Sequence, residues 1–151
     1  MLEGHVKLFI ALTVAACVLF SSHAMARDER LMLPISEALQ SRGSEKIDLD
    51  KVQFFFGDQS HPPIAESFGT FISNRKTNAF AKKDKTACEW AFSSAMIAFQ
   101  KRALDKGGDA VVNIHSYYKK EDVSSESEYM CGAGAFAAGV AFRGEVVKLS
   151  K

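Results

Sequence analysis

The sequence predicts an α+β fold in which one long helix packs on a small, mostly antiparallel sheet. Residues 86–107 open on a capping box and close on glycine, which marks the two ends of a single long helix. Short runs rich in β-branched and aromatic residues stand on either side of it, bounded by Gly, Pro or Asp. The last part of the chain is crowded with Ala and Gly, which let one backbone approach another closely.

The chain begins with the pattern of an export signal. Lys7 ends a short polar start, and Leu8–Phe20 is an apolar run of 13 residues. Ala24-Met25-Ala26 is a small-x-small cleavage site before the charged Arg27-Asp28-Glu29-Arg30. That run falls short of the ~20 residues a helix needs to cross a bilayer. The expectation is a signal peptide over 1–26 and one α+β domain over 27–151, periplasmic or secreted after cleavage. Val14-Ala15-Ala16-Cys17 supports an alternative, because it looks like a loose lipobox, the motif at which bacterial lipoproteins are cleaved and acylated on the cysteine. It departs from the usual motif in having Val for Leu and in the apolar Val18-Leu19-Phe20 that follows. Anchoring at Cys17 would tether the protein to a membrane instead of freeing it.

Charge excludes one class of partner. Among 151 residues, 19 are Lys or Arg and 18 are Asp or Glu, a net charge of +1. The segment before Arg27 contributes one of each sign, Glu3 and Lys7. A balance so near neutrality argues against a dedicated nucleic-acid binder, whose phosphate contacts leave a strongly basic footprint.

The elements follow in order. Leu31-Met32-Leu33-Pro34 leads into a short helix over Ile35–Arg42, with Pro34 at its start and Gly43 just past its end. Val52–Phe56 and Ile64–Ser73 read as two strands, a candidate hairpin joined through the turn at His61-Pro62-Pro63. Thr86-Ala87-Cys88-Glu89 is the capping box, residues 87–106 contain only good or neutral helix formers, and Gly107 supplies a left-handed stop. Trp90, Ala91, Ala95, Ile97, Ala98, Phe99 and Leu104 cover much of the circumference, as in a helix gripped on two sides. Asp109–Tyr118 reads as a strand with Ala110, Val112 and Ile114 on one face and Val111, Asn113, His115 and Tyr117 on the other. Lys119–Ser127 is a solvated connection. From Tyr129 the chain passes through a small-residue segment into a further strand over Val140–Leu149.

The run Asp109–Lys120, with Thr77-Asn78-Ala79-Phe80 and Ala133-Gly134-Ala135, resembles a family of small secreted bacterial proteins that often carry the label "excinuclease ATPase subunit". The resemblance covers nearly all of residues 27–151, but that label does not fit this sequence. An ATPase of that kind needs a G-x-x-x-x-G-K-[ST] phosphate loop and zinc-binding C-x-x-C pairs, and the chain has neither. A long helix followed by Gly107-Gly108-Asp109-Ala110-Val111-Val112 and a cysteine-bearing small-residue strand is also similar to the C-terminal domain of the Rcs stress-sensor lipoprotein and to YbjQ-like domains. This second similarity spans about residues 86–149. It implies a helix on a small sheet, with a disulfide between the helix region and the last strands.

Of the three cysteines, Cys88 and Cys131 lie beyond the export signal, too far apart for C-x-x-C redox chemistry. A structural disulfide is the expected state in an oxidising compartment. His115, with Asn113 and Tyr117, is a candidate ligand-binding set, and the least unlikely site if the protein were a small secreted enzyme. No catalytic motif, metal-ligand cluster or cofactor signature accompanies it. Arg75, Lys76, Lys82, Lys83 and Lys85 crowd into eleven residues around Phe80 and are opposed only by Asp84. They form a candidate contact for an anionic membrane or cell-wall surface. The expected protein is thus a non-catalytic envelope module for binding or stress sensing, with no nucleic-acid or cofactor partner and an envelope partner still to be identified. Intact mass of the processed protein tests its maturation: a polypeptide starting at Arg27 is expected, and a diacylglyceryl product starting at Cys17 would establish the tether instead.

Overall fold

A computed structural model describes residues 27–150. The expected signal segment, its cleavage site after Ala26 and Cys17 lie outside the described residues. In chain order the elements are β1 (Glu29–Pro34), α1 (Ile35–Leu39), a 3-10 turn (Arg42–Lys46), β2 (Gln53–Phe56), β3 (Ile64–Asn78) and α2 (Asp84–Lys106). They continue with β4 (Ala110–Ser116), a 3-10 turn (Tyr118–Lys120), β5 (Glu128–Ala133) and β6 (Ala137–Leu149). The predicted α+β class holds: α2 lies on a curled, mostly antiparallel six-stranded sheet.

Strand β6 is the spine of that sheet. Along one edge it pairs antiparallel with β3, from Ile64 opposite Leu149 to Asn78 opposite Ala137. Along its other edge it pairs first with β5, through Gly132–Gly139 and Ala133–Ala138, and then with β4, from Ser116–Phe142 to Ala110–Val147. Strand β1 extends β5, and β2 extends β4 in parallel. The period-two alternation of β6 explains its central place. Ala138, Val140, Phe142 and Val146 enter the main core beneath α2, while Val147 joins a smaller cluster with Ala110 and Val112. Gly144 completes the inner face, because a Cβ there would stand 2.8 Å from Val111 Cγ1. Its absence lets Val111 and Ile114 close against β6.

Helix α2 buries one stripe: Cys88, Ala91, Phe92, Ala95, Met96, Phe99 and Ala103. Phe92 is the hub of the aromatic core, with ring centroids 4.7 Å from Tyr129, 5.6 Å from Phe142 and 6.0 Å from Phe56. The helix ends as expected. Gly107 adopts φ 81°, and the Gly108 N–H donates to the Ala103 carbonyl at 2.8 Å.

Several local expectations are corrected. The helix starts at Asp84, not at the Thr86 capping box, and its N-cap, Lys83, makes no side-chain cap bond. Asp84 supplies the first-turn negative charge that the helix dipole favours, and Arg27 pairs with it. Trp90 and Leu104 are exposed, because the sheet covers only one side of α2. Leu31-Met32-Leu33-Pro34, expected only to lead into a helix, belong to β1, whose ladder runs along β5. Helix α1 stops at Leu39, and Gly43 lies inside the 3-10 turn instead of ending a helix. A Cβ on Gly43 would meet Ser93 Oγ at 2.8 Å, so glycine serves close packing on α2 there. Strands β2 and β3 are not a hairpin: β2 joins β4, where Phe56 enters the main core and Phe55 the smaller cluster. Strand β3 runs on past Ser73 to Asn78, since β6 continues the ladder to Ala137.

The predicted faces of β4 also change. Asn113 has φ 49°, and the register with β6 shifts between Val112 and His115. This bulge reverses the alternation, so Val111 and Ile114 share the main core while Ala110 and Val112 lie in the other cluster. Strict alternation cannot bury four apolar residues at 110, 111, 112 and 114 in that way; an inserted residue can.

Cys88 of α2 and Cys131 of β5 are joined, with S–S 2.07 Å and Cα atoms 5.9 Å apart. The bond links the helix to the β1–β5 wing, which reaches β6 through only two residue pairs. It spans 43 positions of sequence, for which loop-closure entropy gives an upper figure of ~4 kcal/mol. Replacing both cysteines by Ala is expected to lower stability by a large part of that amount, read as a drop in the denaturant midpoint with a steeper slope, because the unlinked unfolded chain exposes more surface. An unchanged midpoint would remove the bond from the list of stabilising features.

Candidate functional site

The candidate set is brought together at the end of β4 and the residue after it, within a cluster of charged side chains. Asn113, at the bulge, is exposed. His115 Nδ1 lies 3.0 Å from the Asn113 carbonyl oxygen, and its Nε2 lies 2.7 Å from Asp122 Oδ1. Asp122 also receives Arg143 at 3.3 Å, and the Arg143 guanidinium sits 3.8 Å over the Tyr117 ring. Ser116 and Val123 exchange backbone bonds of 3.0 and 2.9 Å beside them. Each imidazole nitrogen thus faces an oxygen acceptor, and the cluster pins the 117–127 connection to β4 and β6. His61, expected in a turn, is half-buried and tilts against Phe55 at 5.5 Å.

The basic stretch divides in two. Lys85 stands on the first turn of α2 and pairs with Glu37 of α1 and Glu89. The hydrogen bond to Glu37 pushes its ammonium above the usual lysine range. It belongs to the packing of α1 on α2. Arg75 and Lys76 end β3, and Lys82 and Lys83 lie in the loop to α2; all four are exposed. Among the described residues, no carboxylate is within ion-pair distance of any of these four.

The fold adds residues that sequence spacing could not supply. Phe80, in the β3–α2 loop, stacks on Phe136, in the β5–β6 turn, with centroids 6.0 Å apart and planes 6° from parallel. The Ala79 N–H donates to the Phe136 carbonyl at 2.9 Å, so the two loops form one tip. Arg27 lies against the same turn, its carbonyl 3.0 Å from where a Cβ on Gly134 would stand. The cues in the sequence were an aromatic between alanines just after Gly134 and another among lysines, but neither signalled the other.

Next to this tip is a cleft of about 370 Å³ on the sheet face away from α2, walled by Tyr118, Lys119, Asp28, Lys76 and Phe136. Its floor includes the cross-strand pair Gly132 and Gly139. A Cβ on Gly132 would fall 2.0 Å from Tyr118 Oη, and one on Gly139 would fall 3.1 Å from Lys76 Cγ. Glycine thus allows Tyr118 and the Lys76 stem to lie directly on the backbone. Lys119 pairs with Asp28 across the cleft, and that hydrogen bond holds the Asp28 carboxyl below the usual range. Among the described residues no helix is long and apolar enough to cross a membrane.

Comparison of the chain with protein-family models, curated proteins and solved structures finds no match.

One buried titratable group stands apart from the surface. Tyr129 is wholly buried in the aromatic core, and its hydroxyl has no hydrogen-bond partner among the described residues. Desolvation, then the charges of Glu89 and Glu37, push its ionisation far above the ordinary tyrosine value. The folded state holds this proton while the unfolded chain releases it near pH ~10, so the contribution is complete below that pH and is lost as pH rises further. Tyr129→Phe is expected to keep or raise stability at neutral pH, by up to about 1 kcal/mol. It should also lose less stability than wild type above pH ~10. Thermal melts of both proteins across that range check this, and an equal alkaline loss in both would count against it.

Proposed function

We propose that this protein is a non-catalytic module of the cell envelope, periplasmic or secreted, that works by binding. Its contact surface is the end that carries Arg75, Lys76, Lys82 and Lys83, and its target is an anionic component of the envelope. The observation that carries this reading is the gathering of these cations at one end without carboxylate partners among the described residues. Arg75 and Lys82 donate only to the neutral carbonyls of Asn74 and Asn78, so their charge is not cancelled, and exposed charges of this kind attract an anionic surface over about a Debye length.

Co-sedimentation with anionic vesicles and with isolated cell wall at low and high salt tests this. Wild type is expected to bind at least one of them at low salt and to release it as screening shortens the reach of the charges to ~3 Å near 1 M. The Lys76→Gln, Lys82→Gln, Lys83→Gln triple variant should bind several-fold less with an unchanged melting temperature, because exposed lysines contribute little to stability. Equal binding by both proteins, or none by wild type at low salt, refutes the proposal.

A further inference from the structure

We propose that the stacked Phe80–Phe136 pair is a wedge that inserts into the interfacial layer of an acidic phospholipid bilayer. This rests on the contact end described above and names its target. Phe80 and Phe136 are 63% and 72% exposed, the two most exposed large apolar side chains described. Single exposed apolar residues are ordinary on a protein surface. Here two phenyl rings from loops distant in sequence are held in register by the Ala79–Phe136 backbone bond. They stand on a loop and a turn at one end of the sheet, beside the cleft that Phe136 helps to wall.

Charge selects the target. Lys76, Lys82 and Lys83 flank the rings, while Arg27 and Lys119 on the side of the cleft are balanced by Asp84 and Asp28. Aromatic rings flanked by lysines match the layered chemistry of a bilayer surface, with acidic head groups outside and acyl carbon just beneath. A lysine can keep its ammonium at the head groups while its stem follows the rings inward. A cell-wall polymer offers the anions but no apolar layer, so it gives no return for burying two phenyl rings. The chain also enters the described structure at Arg27, against this same turn. Were Cys17 acylated, the anchor would therefore draw this end toward the membrane.

The test uses the secreted protein and two variants. In the first, Phe136→Trp places an indole on the tip; wild type, whose sole tryptophan is Trp90 on the exposed side of α2, is the control. With vesicles of phosphatidylglycerol and phosphatidylethanolamine carrying brominated acyl chains, the new tryptophan is expected to shift to the blue and to be quenched, while Trp90 is not. In the second, Phe80→Ser with Phe136→Ser, vesicle affinity should fall by about tenfold or more, while any binding to isolated cell wall stays as in wild type. Both variants change exposed residues, and an unchanged melting temperature verifies the fold. If the protein co-sediments with vesicles but the tip tryptophan is unquenched, the wedge is wrong and the electrostatic contact stands. Binding to cell wall alone overturns the bilayer as target and leaves the envelope reading intact. Salt-sensitive binding to neither removes both. A dimer that disappears in the double Phe→Ser variant, with no quenching by vesicles, assigns the rings to a second copy of this chain and overturns the proposal.

Discussion

Strand β6 is the element on which the remainder of this structure depends. A strand paired on both edges satisfies its backbone donors and acceptors without water, so it can lie wholly inside the molecule. Its alternation then divides the molecule: Val140, Phe142 and Val146 under α2, Val147 on the far face. Every other strand reaches the core by pairing with β6 or with a strand that does. Gly144 shows how tight the arrangement is, since one extra methyl there would collide with Val111.

The same strand creates the weak corner of the fold. β6 meets β5 through only Gly132–Gly139 and Ala133–Ala138, so the β1–β5 wing gains little from the ladder at that point. The Cys88–Cys131 bond and the packing of Tyr129 on Phe92 hold that wing to α2 from the core side. This corner also carries the β5–β6 turn and hence Phe136. The proposed contact end thus lies where a disulfide supplements a short ladder, and loops mounted on such a support can expose apolar rings while the frame stays in place.

The legible part of the fold was the part governed by nearest neighbours in sequence. Gly107 was readable as a left-handed stop because that backbone conformation is costly for any other residue, and it appears as predicted. The small-residue segment was readable as a place of close backbone approach, and the Gly132–Gly139 floor is such a place. At the helix start the local signal misled, since Thr86 and Glu89 fit a capping box yet lie inside α2. Their pattern shows what a cap needs, but the chain entering from Lys83 and the charge of Arg27 come from elsewhere.

By itself, then, the sequence determined one long helix with its glycine terminus, strand-forming runs on both sides, the cysteine pair Cys88 and Cys131, and a crowd of cations before the helix. Propensity, periodicity and turn chemistry act within a few residues, so they can be read along the chain. Tertiary structure alone decided which strands pair, that Asn113 breaks the alternation of β4, that Lys85 is spent on Glu37, and that Phe80 finds Phe136. Each of these depends on which distant surface is available for burial or charge pairing. That availability exists only once the chain has closed around β6.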